Sequence, residues 1–157
     1  KAEGVEVIYF GGYHPEAGLL VRQMQDAGLK AQLIAGDGLS NNEFVTIGGE
    51  AAEGTIFTNA ADALKNEDSK AAVAALEAKR IPAESYTLNA YAAVEVIAAG
   101  IAKAESAEDA EAVAAALKDG SEIPTAIGKL TYGESGDLTS QSFAVYKWEA
   151  GKTVAAE

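Results

Sequence analysis

Residues 5–18 read VEVIYFGGYHPEAG, and this stretch decides how the chain is expected to fold. Its first six residues are β-branched or aromatic with a single charge, a pattern typical of a buried parallel strand. Two glycines end the strand, and Pro15 stands at a first-turn helix position, where its missing N–H costs nothing. Apolar residues at helical spacing then predict an amphipathic helix that Gly28 closes.

The alternation of strand and helix continues to residue 58. Residues 32–35 and 55–58 predict two more strands, and Ser40 with Glu43 has the spacing of a capping box for a short helix between them. Strands that alternate with helices in this way predict an α/β fold with a parallel sheet.

Residues 60–120 predict three helices and no strand. The second helix, from Ser85 to about Ala104, is apolar nearly all round and is therefore expected to be buried. Such a helix needs something to cover, and the strand at residues 5–10 needs neighbours on both sides, so an earlier half of the protein is expected. The other predicted elements are helices over residues 69–79 and from caps at Ser106 and Asp109 to Gly120, and a strand over residues 143–148.

Composition narrows the function. The chain has 157 residues and a net charge of −12. A surface of this charge repels phosphate backbones and anionic lipid, so no nucleic-acid partner is expected. The chain has no cysteine and one histidine, which excludes disulfides, thiolate zinc sites and multi-histidine metal sites. No metal or cofactor is predicted.

Three residues are candidate ligand contacts. Tyr13 and Asp37 follow two predicted strands, and ligands of open α/β sheets bind at the carboxyl ends of strands. Tyr13 offers a ring and a hydroxyl, and the Asp37 carboxylate could hold an ammonium group. Both are equally compatible with ordinary turns. Tyr86, at the start of the long helix, could line an apolar pocket or simply fill the core.

Catalysis has little support in the sequence. His14 is accompanied by no nucleophile-elbow motif, and no pair of carboxylates stands out among the acidic residues. An α/β enzyme that uses Asp37 and His14 is nevertheless an alternative to a binding protein.

A series of segments along nearly the whole chain forms a recognisable set, at residues 9–18, 22–23, 27–30, 49–54, 91–93, 128–132 and 136–138. These segments, in this order, resemble the leucine/isoleucine/valine-binding protein family. Members of that family are periplasmic receptors of amino acid ABC transporters. The resemblance implies a type I periplasmic-binding-protein fold, in which two Rossmann-like lobes clamp the ligand.

The resemblance also implies how the chain is divided. Residues 1–59 would belong to the second lobe, residues 60–140 to the first, and residues 141–157 would return to the second. Family members are more than twice this length, so the chain is expected to be a C-terminal fragment. The missing N-terminal half of the same protein would then be one partner, and it would carry the serine and threonine that bind the ligand carboxylate.

In the resemblance Tyr13, Asp37 and Tyr86 match ligand-contacting positions. Asp37 aligns with the residue that binds the α-ammonium group, which is typically glutamate in branched-chain members. Some relatives with aspartate accept γ-aminobutyrate or proline. The implied function is that of a periplasmic receptor, not an enzyme, which captures a small amino acid and delivers it to an ABC transporter permease. The ligand-sensing domain of a receptor is a second alternative.

Overall fold

The computed structural model describes residues 3–83, 86–140 and 143–156. They form two compact units. The sheet unit contains the described residues up to Ala61 and those from Phe143 onward, and the helical unit contains those from Asp62 to Ser140. The predicted return near residue 141 lies outside the described residues. That the two units belong to two different lobes stays a prediction.

The elements alternate between strand and helix in the first part of the chain, as the sequence predicts, and a strand pair ends it. In chain order they are β1 (Val7–Phe10), α1 (His14–Asp26), β2 (Gln32–Ala35), α2 (Glu43–Gly48), β3 (Ile56–Ala60), α3 (Lys70–Ala78), α4 (Thr87–Ala104), α5 (Ala110–Leu117), β4 (Ile123–Thr125), β5 (Gly128–Leu130), β6 (Phe143–Glu149) and β7 (Lys152–Ala155).

The sheet unit is built on five strands in the order β1-β2-β3-β6-β7. The first three are parallel, as predicted, and β6 and β7 add antiparallel strands beside β3. The hairpin between β6 and β7 turns at Ala150 and Gly151, which both have positive φ. The Glu53 carboxylate accepts hydrogen bonds from both of their backbone N–H groups, at 2.8 and 3.0 Å.

The core of the sheet unit lies between one face of the sheet and the helices α1 and α2. Trp148 of β6 is fully buried there, with its ring centroid 5.9 Å from that of Phe44 and 6.1 Å from that of Phe57. Gly18 of α1 lets the two helices approach closely, because a Cβ at this position would lie 2.8 Å from the Cβ of Ile47. The predicted inward stripe of α1 is confirmed at Ala17, Val21 and Met24.

Two expectations for the sheet unit are wrong. The predicted burial of residues 5–10 fails because α1 and α2 cover only one face of the sheet, so alternate side chains of β1 are exposed on the other face. Ser40 does not cap α2 either. The Asn41 side chain accepts the backbone N–H of Glu43 at 2.8 Å instead, since Ser40 belongs to the preceding turn.

The helical unit packs α3, α4 and α5 with a hairpin of β4 and β5. The hairpin was not expected, because its three-residue strands carry Pro124 and Gly128 and show no apolar alternation. Thr125 Oγ1 donates to the Gly128 carbonyl at 2.6 Å and closes the turn. The predicted caps of α5 are confirmed, as Asp109 accepts the N–H of Ala112 and Ser106 accepts that of Asp109.

The expectation that α4 is buried on every side is also wrong. One stripe of the helix, with Ala92 and Val96, is buried, whereas Val94 and Ile97 on the other side are exposed. Ser85, the predicted cap, lies outside the described residues. In the part of the chain that the structure describes, no helix has the length and apolar character needed to cross a membrane.

Candidate ligand-binding site

Tyr13 and Asp37 lie at the same edge of the sheet. Tyr13 is three residues beyond β1, in extended conformation just before α1, and its side chain is 71% exposed. Asp37 follows β2 and begins a short 3₁₀ turn over Asp37–Leu39. Because β1 and β2 are parallel neighbours, with Phe10 beside Ala35, both loops leave the sheet at its carboxyl edge.

The two loops are in direct contact at Gly38. A Cβ at Gly38 would lie 2.7 Å from the Gly12 carbonyl oxygen and 3.3 Å from a ring carbon of Tyr13. A hydrogen at this position is therefore what lets the Asp37 turn rest against the backbone before Tyr13. The sequence singles out both glycine-containing loops, and the structure brings them together as one surface.

The Asp37 turn is held from the inside of the unit. Leu39 is fully buried, and its carbonyl accepts a hydrogen bond from the Trp148 indole N–H at 3.0 Å. The Ser40 N–H also donates to the Asp37 carbonyl at 2.9 Å. Trp148 thus holds the Asp37 turn against the core, a contact that the sequence does not predict. The one indication in the sequence is that Trp148 is the only tryptophan of the chain and lies in a predicted strand.

His14 pairs with Glu43, which the sequence marks as part of a capping box and not as a site residue. Its Nε2 lies 3.1 Å from Oε2 of Glu43, so the pair links the start of α1 to the start of α2. With 58% of its side chain exposed, Glu43 is on the surface. This surface contact is a hydrogen bond, and an ion pair only when the histidine is protonated, so it contributes little to stability, about 0–1 kcal/mol.

Tyr86 lies in the helical unit, immediately before α4. Its backbone carbonyl accepts the N–H of Ala90 at 2.8 Å and so belongs to the first turn of the helix. The side chain is 45% exposed, so the description of Tyr86 as core filler does not apply within this chain. Whether it meets a ligand stays a prediction.

Two further observations concern other places where a ligand or a metal ion could bind. A cavity of about 350 Å³ is lined by Met24, Lys30, Gln32 and Thr55, where β2 and β3 begin, so it lies at the opposite edge of the sheet from Asp37. No group of three or more metal-ligating side chains occurs within residues 3–83, 86–140 and 143–156.

The groups at the carboxyl edge of the sheet are suited to binding a small molecule. A carboxylate and an aromatic hydroxyl, on loops carried by parallel strands, suit a small molecule with a cationic group. The carboxyl edge of a parallel sheet is also where α/β ligand-binding proteins hold their ligands. A sequence model described as periplasmic binding protein matches residues 1–153, and the chain belongs to that family. The family is one of solute-binding proteins and not of enzymes.

Individual relatives agree with this assignment. A Leu/Ile/Val-binding protein of Rhizobium johnstonii is 73% identical over 100% of the chain and 43% of the relative. A leucine-binding protein of Thermotoga maritima has a crystal structure similar to the chain, with a TM-score of 0.82, 29% identity, and coverage of 96% of the chain and 43% of that protein. The chain thus spans less than half the length of the curated relatives it matches.

The fold is likewise shared with more distant proteins. A branched-chain amino acid transporter substrate-binding protein of Streptococcus pneumoniae, crystallised with isoleucine, gives a TM-score of 0.77 over 97% of the chain and 44% of that protein at 23% identity. The predicted fold class, an α/β type I periplasmic-binding-protein fold present in part, is confirmed by these structures.

Proposed function

We propose that the chain is part of an extracytoplasmic receptor that captures a small amino acid and delivers it to the permease of an ABC transporter. The observation that carries the proposal is the contact between the Tyr13 and Asp37 loops at the carboxyl edge of the sheet. Membership of the periplasmic binding protein family supports a periplasmic location and a binding role without covalent chemistry.

Each proposed contact has its own role. Asp37 holds the ligand ammonium group by a charge-assisted hydrogen bond, and Tyr13 covers the ligand with its ring and offers its hydroxyl. Tyr86, from the helical unit, contributes an aromatic wall for the ligand side chain. In the complete protein, residues 1–59 and 141–157 form part of the second lobe, and residues 60–140 part of the first.

Closure of the lobes is the proposed mechanism. A ligand that contacts both lobes binds the closed form better than the open form, and this difference in affinity drives closure. An ammonium group enclosed in this way loses its water and needs a counter-charge, because an unpaired buried charge is strongly unfavourable. Aspartate at position 37, where branched-chain members typically have glutamate, extends the expected ligands to other small amino acids.

The test is Asp37→Asn in the complete protein. Calorimetry with leucine, isoleucine, valine, proline and γ-aminobutyrate should first identify the wild-type ligand. Asp37→Asn should then weaken its binding by on the order of 3–5 kcal/mol, the penalty for breaking a buried pair. Asp26→Asn, at the far end of α1 in the same unit, removes the same charge and should leave affinity unchanged. Undiminished binding by Asp37→Asn would make Asp37 an ordinary turn residue.

A further inference from the structure

The cavity of about 350 Å³ lies inside the sheet unit, between the second half of α1 and the starts of β2 and β3. Val21 and Met24 of α1 and Leu33 of β2 line it with apolar surface, and all three are buried. Small-molecule sites in proteins have volumes of about 300–1,000 Å³ and are lined mostly by apolar side chains. The cavity is therefore large enough for a small organic ligand.

Thr55 gives the cavity a buried hydroxyl. The residue is only 3% exposed, and its backbone N–H and carbonyl are bonded to Ala52 and Trp148. Because side chains alternate along an extended chain, Thr55 faces the same side as Phe57, which is the side that α1 covers. Its hydroxyl makes no hydrogen bond with any residue that the structure describes, and its oxygen is not sealed off from open space. The hydroxyl can therefore bond to a molecule inside the cavity.

Lys30 gives the cavity an available positive charge. It lines the cavity and is exposed, and within residues 3–83, 86–140 and 143–156 it makes no ion pair. The carboxylate of Glu53, which also lines the cavity, already accepts two backbone N–H groups of the β6–β7 hairpin. The Gln32 side-chain NH₂ likewise donates to the carbonyls of Leu33 and Gly54, at 2.9 Å each. An anionic group of a ligand would thus meet Lys30.

The separation of these two groups limits the length of the ligand. The register of β2 and β3 places Leu33 beside Thr55 at the start of both strands. Lys30 lies three residues before Leu33, and three residues of extended chain span about 10 Å. Because the lysine side chain is long and flexible, a chain of roughly five carbons between a carboxylate and a second oxygen can meet both groups.

We infer that this cavity is a second binding site, for a small organic carboxylate whose apolar body carries an oxo or hydroxyl group. The carboxylate accepts a charge-assisted hydrogen bond from Lys30, the apolar body lies against Met24 and Leu33, and the second oxygen bonds to the Thr55 hydroxyl. The site lies at the opposite edge of the sheet from Asp37. It goes beyond the proposed function and does not depend on it.

The probe is 5-oxohexanoate, added to the complete protein labelled with ¹³C in its methionine methyl groups. The Met24 methyl signal, identified by its loss in Met24→Leu, should shift saturably, with a Kd on the order of 1 mM. Hexanoate lacks the oxo group and 2-hexanone lacks the carboxylate. Each should bind roughly tenfold more weakly, because each loses one of the two polar contacts.

Two variants assign the contacts. Lys30→Gln should weaken binding of 5-oxohexanoate by roughly tenfold and leave 2-hexanone unchanged, because only the carboxylate loses its partner. Thr55→Val, of nearly the same shape, should weaken 5-oxohexanoate by about the same factor and leave hexanoate unchanged. Lys152→Gln and Thr58→Val are the matched controls, since both residues are exposed in the same unit and neither lines the cavity.

Binding at the Asp37 site is distinguished by competition. Asp37→Asn, and an excess of the amino acid that the wild type binds, should leave the Met24 response to 5-oxohexanoate unchanged. The second site is disproved if the Met24 signal does not shift, if all three probes bind equally, if Lys152→Gln acts as strongly as Lys30→Gln, or if the amino acid displaces the probe. The comparison of probes uses the wild-type protein and so decides the matter even where a variant fails to fold.

Discussion

The two units of the chain have cores of different quality, although their sizes are similar. The sheet unit packs Trp148, Phe44 and Phe57 into one cluster with both helices and the sheet. The helical unit has a smaller cluster of small and aliphatic side chains, centred on Leu76 and Leu88. Core stability depends on buried apolar area and close packing. The difference implies that contacts within the sheet unit supply most of its stability. The stability of the helical unit depends more on contacts made to the exposed side of α4.

The largest expected effect is that of Trp148→Ala, which removes the ring shared by both aromatic contacts. It should lower the free energy of unfolding by about 3–5 kcal/mol, whereas Leu88→Ala in the helical unit should cost about 2 kcal/mol, because small neighbours can close up. Urea unfolding followed by amide exchange in each unit measures both. Trp148→Phe is the control, since it keeps one aromatic ring in the cluster and loses the indole hydrogen bond, worth about 1 kcal/mol, together with part of the ring volume. Equal losses of unfolding free energy for Trp148→Ala and Leu88→Ala would contradict the difference between the two cores.

A second test compares close contacts made by glycines. A Cβ at Gly38 would meet the backbone oxygen of Gly12 at 2.7 Å, whereas one at Gly100 would meet the side chains of Leu117 and Val113 at 2.9–3.0 Å. Backbone cannot move as side chains can, so Gly38→Ala should cost about 1–3 kcal/mol. Gly100→Ala should be nearly neutral, because alanine gains about 1 kcal/mol of helix propensity.

Thermal unfolding of both variants is the measurement, and Gly36→Ala is the control. A Cβ at Gly36 would have no atom within 4 Å, and its φ of −87° suits any residue. If Gly100→Ala destabilises the chain more than Gly38→Ala, the helices of the second unit are packed as rigidly as the loops of the first.

The smallest effect concerns charge in the helical unit. Hydrogen bonds from the Ser121 side chain and backbone, together with one from Lys103, lower the pKa of Asp119 from 3.8 to about 2. The folded state therefore favours the ionised carboxylate. Its contribution to the free energy of unfolding is fully present above about pH 4 and is lost as the pH falls through about 2. The contribution is small because the carboxylate is exposed.

Titration of the Asp119 carboxyl signal by NMR provides the measurement. Ser121→Ala should move its midpoint up towards the ordinary value, because the largest stabilising contact of the ionised form is removed. A midpoint that stays near the wild-type position would assign the lowered pKa to the backbone N–H of residue 121 and to Lys103 instead.

What could be predicted from the sequence follows from how local each signal is. The strands β1, β2 and β3 are each marked by a short run rich in apolar residues with a glycine close to one end, so they were predicted closely. That Tyr13 and Asp37 share an edge followed from the parallel order of the first two strands. The edge position of β1 could not be predicted, because strand order depends on pairing between distant segments and β6 joins on the far side.

Other features of the fold could not be predicted from the sequence for similar reasons. The hairpin of β4 and β5 contains too few residues for an alternating pattern. The exposed side of α4 follows from what surrounds the helix and not from its own residues. The hydrogen bond from Trp148 to Leu39 joins positions 109 residues apart, and no local pattern predicts such a pair.

That long-range hydrogen bond has a consequence for biosynthesis. The ribosome releases β1, β2 and β3 early, yet Trp148 emerges only after the whole helical unit has been made. Domains usually fold in the order of their synthesis. The sheet unit is therefore the first to begin and the last to be completed. Until Trp148 emerges, Phe44 and Phe57 lack the aromatic ring that both of them contact. A nascent chain that stalls before β6 therefore exposes an unfinished aromatic core, which is the kind of surface that chaperones bind.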